Sequence, residues 1–380
     1  MKKKPKVIAF YLPQFHRVPE NDEWWGEGFT EWVSAKSAKP LFPGHYQPRL
    51  PQYNNYYNLL DKKTLEWQAD LAKKGRVYGF CIYHYWFGEK QLLEKPAENL
   101  LKWKDIDINY CFSWANDSWI TSWSKLAGNA WVMTDEKRKV KSAGEGNGIL
   151  LKQEYGDEIE WKRHFMYLLP FFQDSRYIKQ DGKPVFVIYR PEGVPCLEEM
   201  MDYWKKLASE NGLPGIYFIG TNCRTKEQKK MDAGLLYEPN YSQYQDCAEY
   251  TTTGKAYKWL RTKLAKKDIP IPDMINYDLI WKKILQRDIK RNIYPGGYVD
   301  FDVTPRKGKR ARITYNANPK KFYRYFRELY HKCSKKDVDY IFITAWNEWG
   351  EGAYLEPDQK YGVAYLNAIR SVVREKDEEV

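Results

Sequence analysis

The stretch YIFITAWNEWGEGAYLEP occupies Tyr340–Pro357. It begins with Tyr340–Ala345, an apolar run of β-branched and aromatic residues that is typical of a strand buried on both faces. Directly after this run, Glu348 and Glu351 lie among tryptophans and glycines. Side chains three positions apart in an extended strand point to opposite faces, but a turn at Gly350 brings the two carboxylates to one side. The stretch therefore predicts a buried strand that delivers paired carboxylates into an aromatic cleft.

Paired carboxylates in an aromatic cleft are typical of glycoside hydrolysis, so we predict that Glu348 and Glu351 are catalytic. Acid–base catalysis requires one carboxyl group to be protonated while the other is ionised. Burial against Trp346 and Trp349 is expected to separate the two pKa values. The alternative for either Glu is an ion pair with a Lys or Arg at the rim of the site.

Further apolar runs resemble the Tyr340–Ala345 strand, and helical patterns separate most of them. These runs are Val7–Leu12, Gly79–Phe87, Ile108–Asn116, Pro184–Tyr189, Gly215–Gly220, Gly234–Glu238 and Gly297–Val303. The alternation predicts an α/β protein, a (β/α)8 TIM barrel formed as a single domain by residues 1–380. Long loops are expected after the first strand and at Lys125–Gly148, and a helical insertion, residues 242–297, is expected between the sixth and seventh strands. Because the sixth run is weak, an open doubly wound sheet is the alternative.

Polar and aromatic residues follow most of the predicted strands. In a barrel the carboxyl ends of the strands converge on one face, where active sites are built. A structural role in the framework is the alternative for each histidine among these residues and for Glu31 and Asp117. The predicted substrate-binding residues are Tyr11, Gln14, His16, Trp25, Glu31, His84, Trp86, Trp114, Asn116, Asp117, Glu238, Asp300, Trp346, Asn347 and Trp349.

Two Asp-x-Asp pairs resemble the metal-binding pairs of nucleotide-sugar transferases. Asp105 precedes its strand and so lies at the amino end, where barrel active sites are not built. Asp300 and Asp302 lie near the carboxyl end of their predicted strand, where active sites are built. We expect Asp300 and Asp302 to contact substrate in preference to metal. The sequence has no GxGxxG, Walker A or Gly-x-Ser-x-Gly pattern, so no metal, nucleotide or other cofactor is predicted.

The composition agrees with a glycan as the partner. Aromatic residues make up 17% of the 380 positions, and their amphipathic rings suit the faces of sugars, although many belong to the core. The net charge of +12 is spread along the chain without a base-reading motif, so no nucleic-acid partner is predicted. A solvated basic surface is expected, and peripheral attraction to an anionic polymer or a membrane surface is the alternative.

The cysteines and the N-terminus indicate a cytoplasmic protein. No CxxC pair is present, which favours free thiols in a reducing compartment. The apolar run after the N-terminal lysines stops at Pro13, too early for a signal peptide, and no segment is long enough to span a membrane. The cysteines are Cys81, Cys111, Cys196, Cys223, Cys247 and Cys333.

A set of motifs distributed over nearly the whole chain carries a family resemblance. These motifs are Ala9–His16, Pro19–Asp22, Trp24–Gly26, Gly28–Trp32, Lys39–Phe42, Gly44–Arg49, Trp114–Asn116, Arg176–Ile178 and Trp346–Gly352. Together they resemble the WbsX family, which is found in bacterial polysaccharide (O-antigen) gene clusters and is often labelled glycosyltransferase. That family is in turn similar to the family 99 glycoside hydrolases, the endo-α-mannosidases, which are (β/α)8 barrels.

The Asn-Glu-Trp-x-Glu-Gly motif of those hydrolases matches Asn347–Gly352 residue for residue. The resemblance implies that Glu348 is the base that deprotonates the sugar 2-hydroxyl, giving a 1,2-anhydro intermediate. It implies that Glu351 is the acid/base that acts on the leaving oxygen and then on water, without a metal or a carboxylate nucleophile. One position departs from the family pattern Trp-Ala-Asn-Glu-x-Trp: Asp117 replaces the Glu, which leaves the identity of the sugar open.

Three functions remain in competition. The first is a retaining glycoside hydrolase that acts on an α-linked bacterial polysaccharide or oligosaccharide. The second is a glycosyltransferase in O-antigen or capsular polysaccharide biosynthesis, as the family label states. The third is a non-catalytic carbohydrate-binding barrel, which the intact pair of Glu348 and Glu351 argues against.

Overall fold

The computed structural model describes residues 4–120, 149–223, 225–245, 252–265 and 269–375. The predicted loop Lys125–Gly148 and Cys247 lie outside these residues. The strands are β1 (Lys6–Tyr11), β2 (Gly79–Trp86), β3 (Gln91–Leu92), β4 (Asn109–Trp114), β5 (Trp119–Ile120), β6 (Ile149–Leu151), β7 (Lys179–Gln180), β8 (Lys183–Ile188), β9 (Tyr217–Thr221), β10 (Ala233–Leu235), β11 (Asp273–Asn276), β12 (Ile293–Tyr294), β13 (Gly296–Tyr298), β14 (Arg312–Tyr315), β15 (Tyr340–Thr344), β16 (Asn347–Glu348) and β17 (Ala353–Tyr354). The helices are α1 (Pro19–Trp25), α2 (Glu31–Ser37), α3 (Lys62–Lys74), α4 (Lys95–Lys102), α5 (Glu158–Gln173), α6 (Leu197–Glu210), α7 (Thr225–Gln228), α8 (Thr252–Ala265), α9 (Tyr277–Gln286), α10 (Thr304–Lys307), α11 (Pro319–Lys335) and α12 (Ala364–Glu375).

A parallel sheet forms the centre of the fold, with the strand order β12-β10-β9-β8-β4-β2-β1-β15-β13. The two end strands lie on either side of Pro295, and β12 pairs with β10 while β13 pairs with β15. The segment 293–298 therefore fills one position between β10 and β15 and closes the sheet. Within the described residues these strands occupy eight positions around the sheet. The predicted (β/α)8 barrel is confirmed.

The seventh barrel position differs from the predicted strand Gly297–Val303. It begins at Ile293, inside the range predicted for the insertion, and its pairing ends at Tyr298. The carbonyl of Phe301 accepts a hydrogen bond from the backbone of Thr314 on β14 (2.7 Å), so the chain leaves the barrel before this point. Asp300 and Asp302 consequently follow the strand and do not belong to it.

Several helices around the barrel begin at residues whose side chains cap the helix N-terminus. Asp61 caps α3 and Asp157 caps α5, each accepting a backbone N–H from the first turn. Asn318 caps α11 by accepting the N–H of Lys321 at 3.0 Å, and Pro319 occupies its first position. The segment after β1, expected to be an irregular loop, instead contains the short helices α1 and α2.

A second, smaller sheet lies beside the barrel. Its strands β11 and β14 are parallel and pair Asp273 with Arg312 through Asn276 with Tyr315. The first of these strands comes from the segment between the sixth and seventh barrel positions, together with α8 and α9. Asp273 and Arg312 both line a cavity at the carboxyl ends of the barrel strands, so this sheet builds one wall of that cavity.

Five of the cysteines lie in the described part of the chain, and all five are free thiols. Cys81, Cys111 and Cys333 are buried, and the others are partly buried. Within the same residues, no helix combines the length and the apolar composition that crossing a bilayer requires.

Candidate active site

A cavity of about 290 Å³ opens at the carboxyl ends of the barrel strands. Leu12 and Tyr189 line it directly after the ends of β1 and β8. Tyr83 lines it from the carboxyl-terminal half of β2, and Glu348 lines it beyond the end of β15. This is the end at which barrel enzymes build their active sites. The complete lining is Leu12, Tyr83, Tyr85, Ala115, Asp117, Trp119, Tyr189, Tyr237, Asn240, Arg261, Asp273, Phe301, Val303, Arg306, Lys307, Arg310, Arg312, Glu348 and Glu351.

The chain reverses direction between Glu348 and Ala353. The turn consists of one turn of 3₁₀ helix at Trp349–Glu351 and of Gly352, whose φ is +62°. The strands on either side, β16 and β17, pair antiparallel. Because the turn replaces extended backbone, Glu348 and Glu351 face the same cavity.

One guanidinium group connects these two carboxylates to a third. Arg306 donates from Nη2 to Glu348 (3.0 Å) and from Nη1 to Glu351 (2.6 Å). Its Nε and Nη2 also donate to the two oxygens of Glu31, at 3.0 and 3.1 Å. We call Arg306, Glu31, Glu348 and Glu351 the carboxylate cluster. Glu348 and Glu351 therefore both form an ion pair with an arginine, which was the predicted alternative to a catalytic role. This ion pair lies inside the cavity and not at its rim.

The carboxylate cluster is short of positive charge. Its side chains are largely removed from solvent: Arg306 is 10% exposed, Glu348 is 6% exposed and Glu351 is 17% exposed. A single cation cannot neutralise three buried carboxylates, and buried like charges favour retention of a proton. Burial raises the pKa of Glu348 to about 8; Glu351 and Glu31 raise it as well, and Arg306 opposes the rise. The surroundings of Glu348 therefore favour the protonated form of its carboxyl group more than water does.

The glycines of the motif are required by close contacts. A Cβ at position 350 would lie 2.5 Å from Oε1 of Glu31 and 2.7 Å from Nε of Arg306. A Cβ at Gly352 would lie 3.0 Å from Cζ of Arg49, and the positive φ there also favours glycine. The carboxylate cluster can thus form only because position 350 carries no side chain.

Several residues predicted to bind substrate support the turn from behind the cavity. Asn347 accepts the backbone N–H of Leu12 (2.7 Å) and donates to the carbonyl of the same residue (3.0 Å), which ties the eighth strand to the first. Trp349 donates its indole N–H to the buried Glu356 at 2.7 Å. Tyr11 reaches the same carboxylate through Gln68. Trp346 is fully buried against the core.

Asp300 and Asp302 are held by a separate buried network. Asp300 pairs with Nη1 of Arg49 at 2.8 Å. Asp302 accepts from Gln47 (2.6 Å) and bonds to His45 (2.8 Å). The same Arg49 Nη1 donates to the carbonyl of Gly352 at 2.9 Å. The structure thus places Asp300 beneath the turn, where it supports the motif and does not line the cavity.

Four of the residues predicted at the ends of the second, third and sixth strands do not line the cavity. His84 bonds to His164 of α5 at 2.8 Å, and both rings lose their positive charge because burial lowers their pKa values. Trp86 stacks on His164, and Trp114 donates its indole N–H to the carbonyl of Trp86. Glu238 pairs with Arg287.

The remaining predicted residues are divided between the cavity and its surroundings. Asp117 lines the cavity and pairs with Arg190 at 2.8 Å. Asn116 holds the backbone of the same arginine through its side-chain amide. Trp25 stacks on Trp119, which lines the cavity. The other two lie buried: Gln14, whose carbonyl accepts the N–H of Glu31, and His16, whose pKa is lowered to about 4 by burial.

Two groups of residues that line the cavity are absent from the residues predicted to bind substrate. The first is a set of tyrosines, Tyr83, Tyr85, Tyr189 and Tyr237, at the strand ends. Tyr83 and Tyr85 alternate with His84 and Trp86 along β2, so they occupy its inward face. The second group is basic: Arg306, Lys307, Arg310 and Arg312 come from the segment after the seventh barrel position, and Arg261 comes from α8. The basic run at 306–312 was the available signal for this group.

Comparison with known proteins identifies relatives across most of the chain. A family model described as Glycosyltransferase WbsX matches residues 7–369. Two curated relatives, each named uncharacterized protein WxcX, come from Xanthomonas campestris pv. campestris strains ATCC 33913 and B100. Each is 30% identical over 381 residues, and the alignment covers 97% of this chain and 49% of the relative. The chain therefore spans about half the length of the curated relatives it matches.

Solved structures share the fold at low sequence identity. The family 99 endo-alpha-mannosidase from Bacteroides thetaiotaomicron superposes with a TM-score of 0.54 at 16% identity, covering 98% of this chain and 96% of that one. A protein described as glycoside hydrolase-like has a TM-score of 0.56 at 13% identity, covering 98% and 94% of the two chains. At these identities the similarity shows the fold alone.

The role of Gly350 is testable by Gly350→Ala. The added methyl group would overlap Glu31 and Arg306, so we expect the carboxylate cluster to separate and the free energy of unfolding to fall by about 1–3 kcal/mol. Gly193→Ala is the control, because a Cβ there meets only the hydroxyl of Tyr155 at 3.3 Å and Cβ of Arg190 at 3.9 Å. Denaturant unfolding measures both variants. Equal stability of the two would contradict the packing described for Gly350.

Proposed function

Since the chain belongs to the glycosyltransferase WbsX family, we propose that it is a retaining glycoside hydrolase acting on an α-linked bacterial polysaccharide or oligosaccharide. The observation that carries the proposal is the pair of cavity-facing carboxylates, Glu348 and Glu351, bound side by side to one guanidinium group. Two carboxyl groups that bind the same guanidinium group lie close enough together for both to act on one sugar ring.

In the proposed first step, Glu348 takes the proton of the sugar 2-hydroxyl while O2 attacks C1. The bond from C1 to the leaving oxygen breaks, and Glu351 donates its proton to that oxygen. In the second step water attacks C1, Glu351 takes a proton from the water, and the bond from C1 to O2 breaks. Glu348 then returns its proton to O2. The 1,2-anhydro intermediate is formed and consumed with two inversions, so the anomeric configuration is retained.

The surroundings of the two carboxylates support these roles. A carboxyl group with a pKa of about 8 is a stronger base than an ordinary glutamate, which suits proton removal from an alcohol. Arg306 lies against both carboxylates and stabilises whichever one is ionised. The tyrosine rings at the strand ends offer apolar faces and hydroxyl groups, as sugar binding requires.

The family description favours a second candidate, transfer of a sugar from a nucleotide donor. The cations that line the cavity would suit the diphosphate of such a donor. Hydrolysis and transfer are distinguished by incubating the protein with α-linked glycans and, separately, with nucleotide-sugars and glycan acceptors. Transfer from a nucleotide-sugar without cleavage of any glycan would overturn the hydrolase proposal.

Loss of the carboxylates tests the assigned chemistry. We expect Glu348→Gln and Glu351→Gln each to lower kcat for glycan cleavage by about 10²–10⁴-fold, because an amide neither accepts nor donates the transferred proton. Glu158→Gln, at an exposed position on α5, is the matched control and should retain full activity. Product formation is followed by chromatography, and circular dichroism checks the fold. Cleavage at the normal rate in both active-site variants would contradict the proposal.

The pKa of Glu348 predicts the pH dependence of cleavage. The base must be ionised, and its pKa is about 8, so kcat/KM should fall about tenfold per pH unit below that value. Lys307 lines the same cavity with a pKa lowered to about 7 by burial, so the profile is also recorded for Lys307→Arg, which stays charged. The acidic limb should persist in that variant. A limb near the pKa of an ordinary glutamate, or its loss in Lys307→Arg, would contradict the assignment.

A further inference from the structure

The carboxylate cluster contains one carboxylate that the proposed reaction does not use. Glu31 occupies the first position of α2, and its side chain is 4% exposed. It is absent from the residues that line the cavity. Glu31 nevertheless accepts two of the four hydrogen bonds that Arg306 donates within the described residues, whereas Glu348 and Glu351 accept one each.

We infer, on the basis of the proposed function, that Glu31 is a positioning residue of the reaction. It holds the guanidinium group of Arg306 in one orientation and offsets its positive charge. As a result Arg306 reaches both reacting carboxylates, and Glu348 stays basic enough to take the proton of the sugar 2-hydroxyl.

The geometry of the guanidinium group carries the positioning part of this inference. The two oxygens of Glu31 accept from Nε and Nη2 of Arg306 at 3.0 and 3.1 Å, which is the two-pronged arrangement of a carboxylate against an arginine fork. Because the fork is planar and rigid, these two bonds fix the plane of the whole group. The directions of the remaining N–H groups are then fixed as well, and they point to Glu348 and Glu351.

The backbone around Glu31 is itself held in place. The N–H of Glu31 donates to the carbonyl of Gln14 at 3.3 Å, and the indole N–H of Trp32 donates to the carbonyl of Tyr57 at 2.9 Å. The ring centroids of Trp32 and Trp349 are 5.4 Å apart, so α2 packs directly on the turn that carries the reacting pair. Glu31 therefore has little freedom to move away from Arg306.

The charge of the reacting pair stays constant during the first proposed step. Glu348 gains the proton of the sugar 2-hydroxyl while Glu351 loses a proton to the leaving oxygen, so one negative charge moves from Glu348 to Glu351. Arg306 contacts both carboxylates, through Nη2 and Nη1 respectively. A guanidinium group that Glu31 holds still can stabilise the charge at either carboxylate without reorganising.

The groups that face Glu348 show why the charge of Glu31 matters. Burial raises the pKa of Glu348, Arg306 lowers it, and Glu351 and Glu31 both raise it. Glu351 changes its own charge during the reaction and also interacts with Lys307, so Glu31 supplies the constant negative charge in this set. The other titratable groups that Glu348 influences are tyrosines, which stay uncharged at neutral pH because burial raises their pKa values: Tyr83, Tyr85, Tyr189 and Tyr237.

Neutralising Glu31 tests the inference. In Glu31→Gln the charge of Arg306 is no longer offset, so it should stabilise the ionised form of Glu348 and make that group a weaker base. We expect the acidic limb of kcat/KM to move to lower pH by about one pH unit or more. We expect kcat above this limb to fall about threefold to tenfold, because a weaker base removes the proton less readily.

The same titration is measured without a substrate. Nuclear magnetic resonance of protein with isotope-labelled glutamate carboxyl carbons follows the protonation of Glu348, whose signal is assigned by its loss in Glu348→Gln. The midpoint of this titration should also fall by about one pH unit or more in Glu31→Gln. An unchanged or higher midpoint would overturn the inference, whatever the effect of the substitution on stability or rate.

Two further variants separate charge from structure. Glu31→Asp keeps the negative charge on a shorter side chain that cannot make both bonds to Arg306, so kcat should fall while the acidic limb stays where it is. Full kcat in Glu31→Asp would overturn the positioning role, and this test stands even where Glu31→Gln fails to fold. Glu27→Gln is the matched control, because it removes a nearby charge whose side chain is 91% exposed, and it should leave both the rate and the titration unchanged.

The outcomes separate this inference from the proposed function. The titration of Glu348 does not depend on cleavage, so a protein that cleaves no glycan would overturn the hydrolase and leave the role of Glu31 to the titration. Conversely, an active hydrolase in which Glu31→Gln shows the normal titration and the normal acidic limb would keep the proposed function and overturn the inference.

Discussion

The hydrogen bonds of Arg306 to Glu31, Glu348 and Glu351 are the interaction on which the site depends. Removing the cation would leave three carboxylates close together in a buried place, an arrangement that costs several kcal/mol unless protons are taken up. The bonds also join three distant parts of the chain: α2, α10 and the turn after the eighth strand. The geometry of Glu348 and Glu351 is therefore a tertiary property and does not belong to their motif alone.

The buried layers behind the turn hold this arrangement in place. Asn347 fixes the turn to the end of β1, and Glu356 receives the indole N–H of Trp349. Arg49 connects the carbonyl of Gly352 to Asp300 from the other side. The turn is thus supported on both sides, which keeps the two carboxylates facing the cavity. Much of the sequence motif serves this support, and a smaller part, Glu348 and Glu351, faces the cavity.

The sequence predicted the barrel because its strands are apolar runs separated by helical patterns with recognisable caps. It did not predict which side of each strand faces the cavity. The strand Gly79–Trp86 is buried along its whole length, so no alternation of polarity distinguishes Tyr83 and Tyr85 from His84 and Trp86. The seventh strand was predicted too long because the pairing of Phe301 with β14 depends on a contact remote in sequence.

Arg306 could not be found from spacing, since it lies far from Glu31 and Glu348 along the chain and enters the cavity from a short helix outside the barrel. By contrast, the carboxylate pair and the glycines between them were found, because a turn of this kind has a local signature. The group of lining cations Lys307, Arg310 and Arg312 was visible in the sequence only as a basic run. Its relation to the carboxylate cluster required the packing of the second sheet against the barrel mouth.

In the proposed reaction, Glu348 removes the proton of the sugar 2-hydroxyl, and O2 of the same sugar displaces the leaving group at C1. The most direct measurement compares cleavage of a glycan substrate with cleavage of the same glycan in which fluorine replaces that hydroxyl group. We expect the fluorinated glycan to bind without being cleaved, and we expect mass spectrometry to find no covalent sugar on the protein. A fluorosugar covalently attached to Glu348 or Glu351 would contradict the proposed reaction.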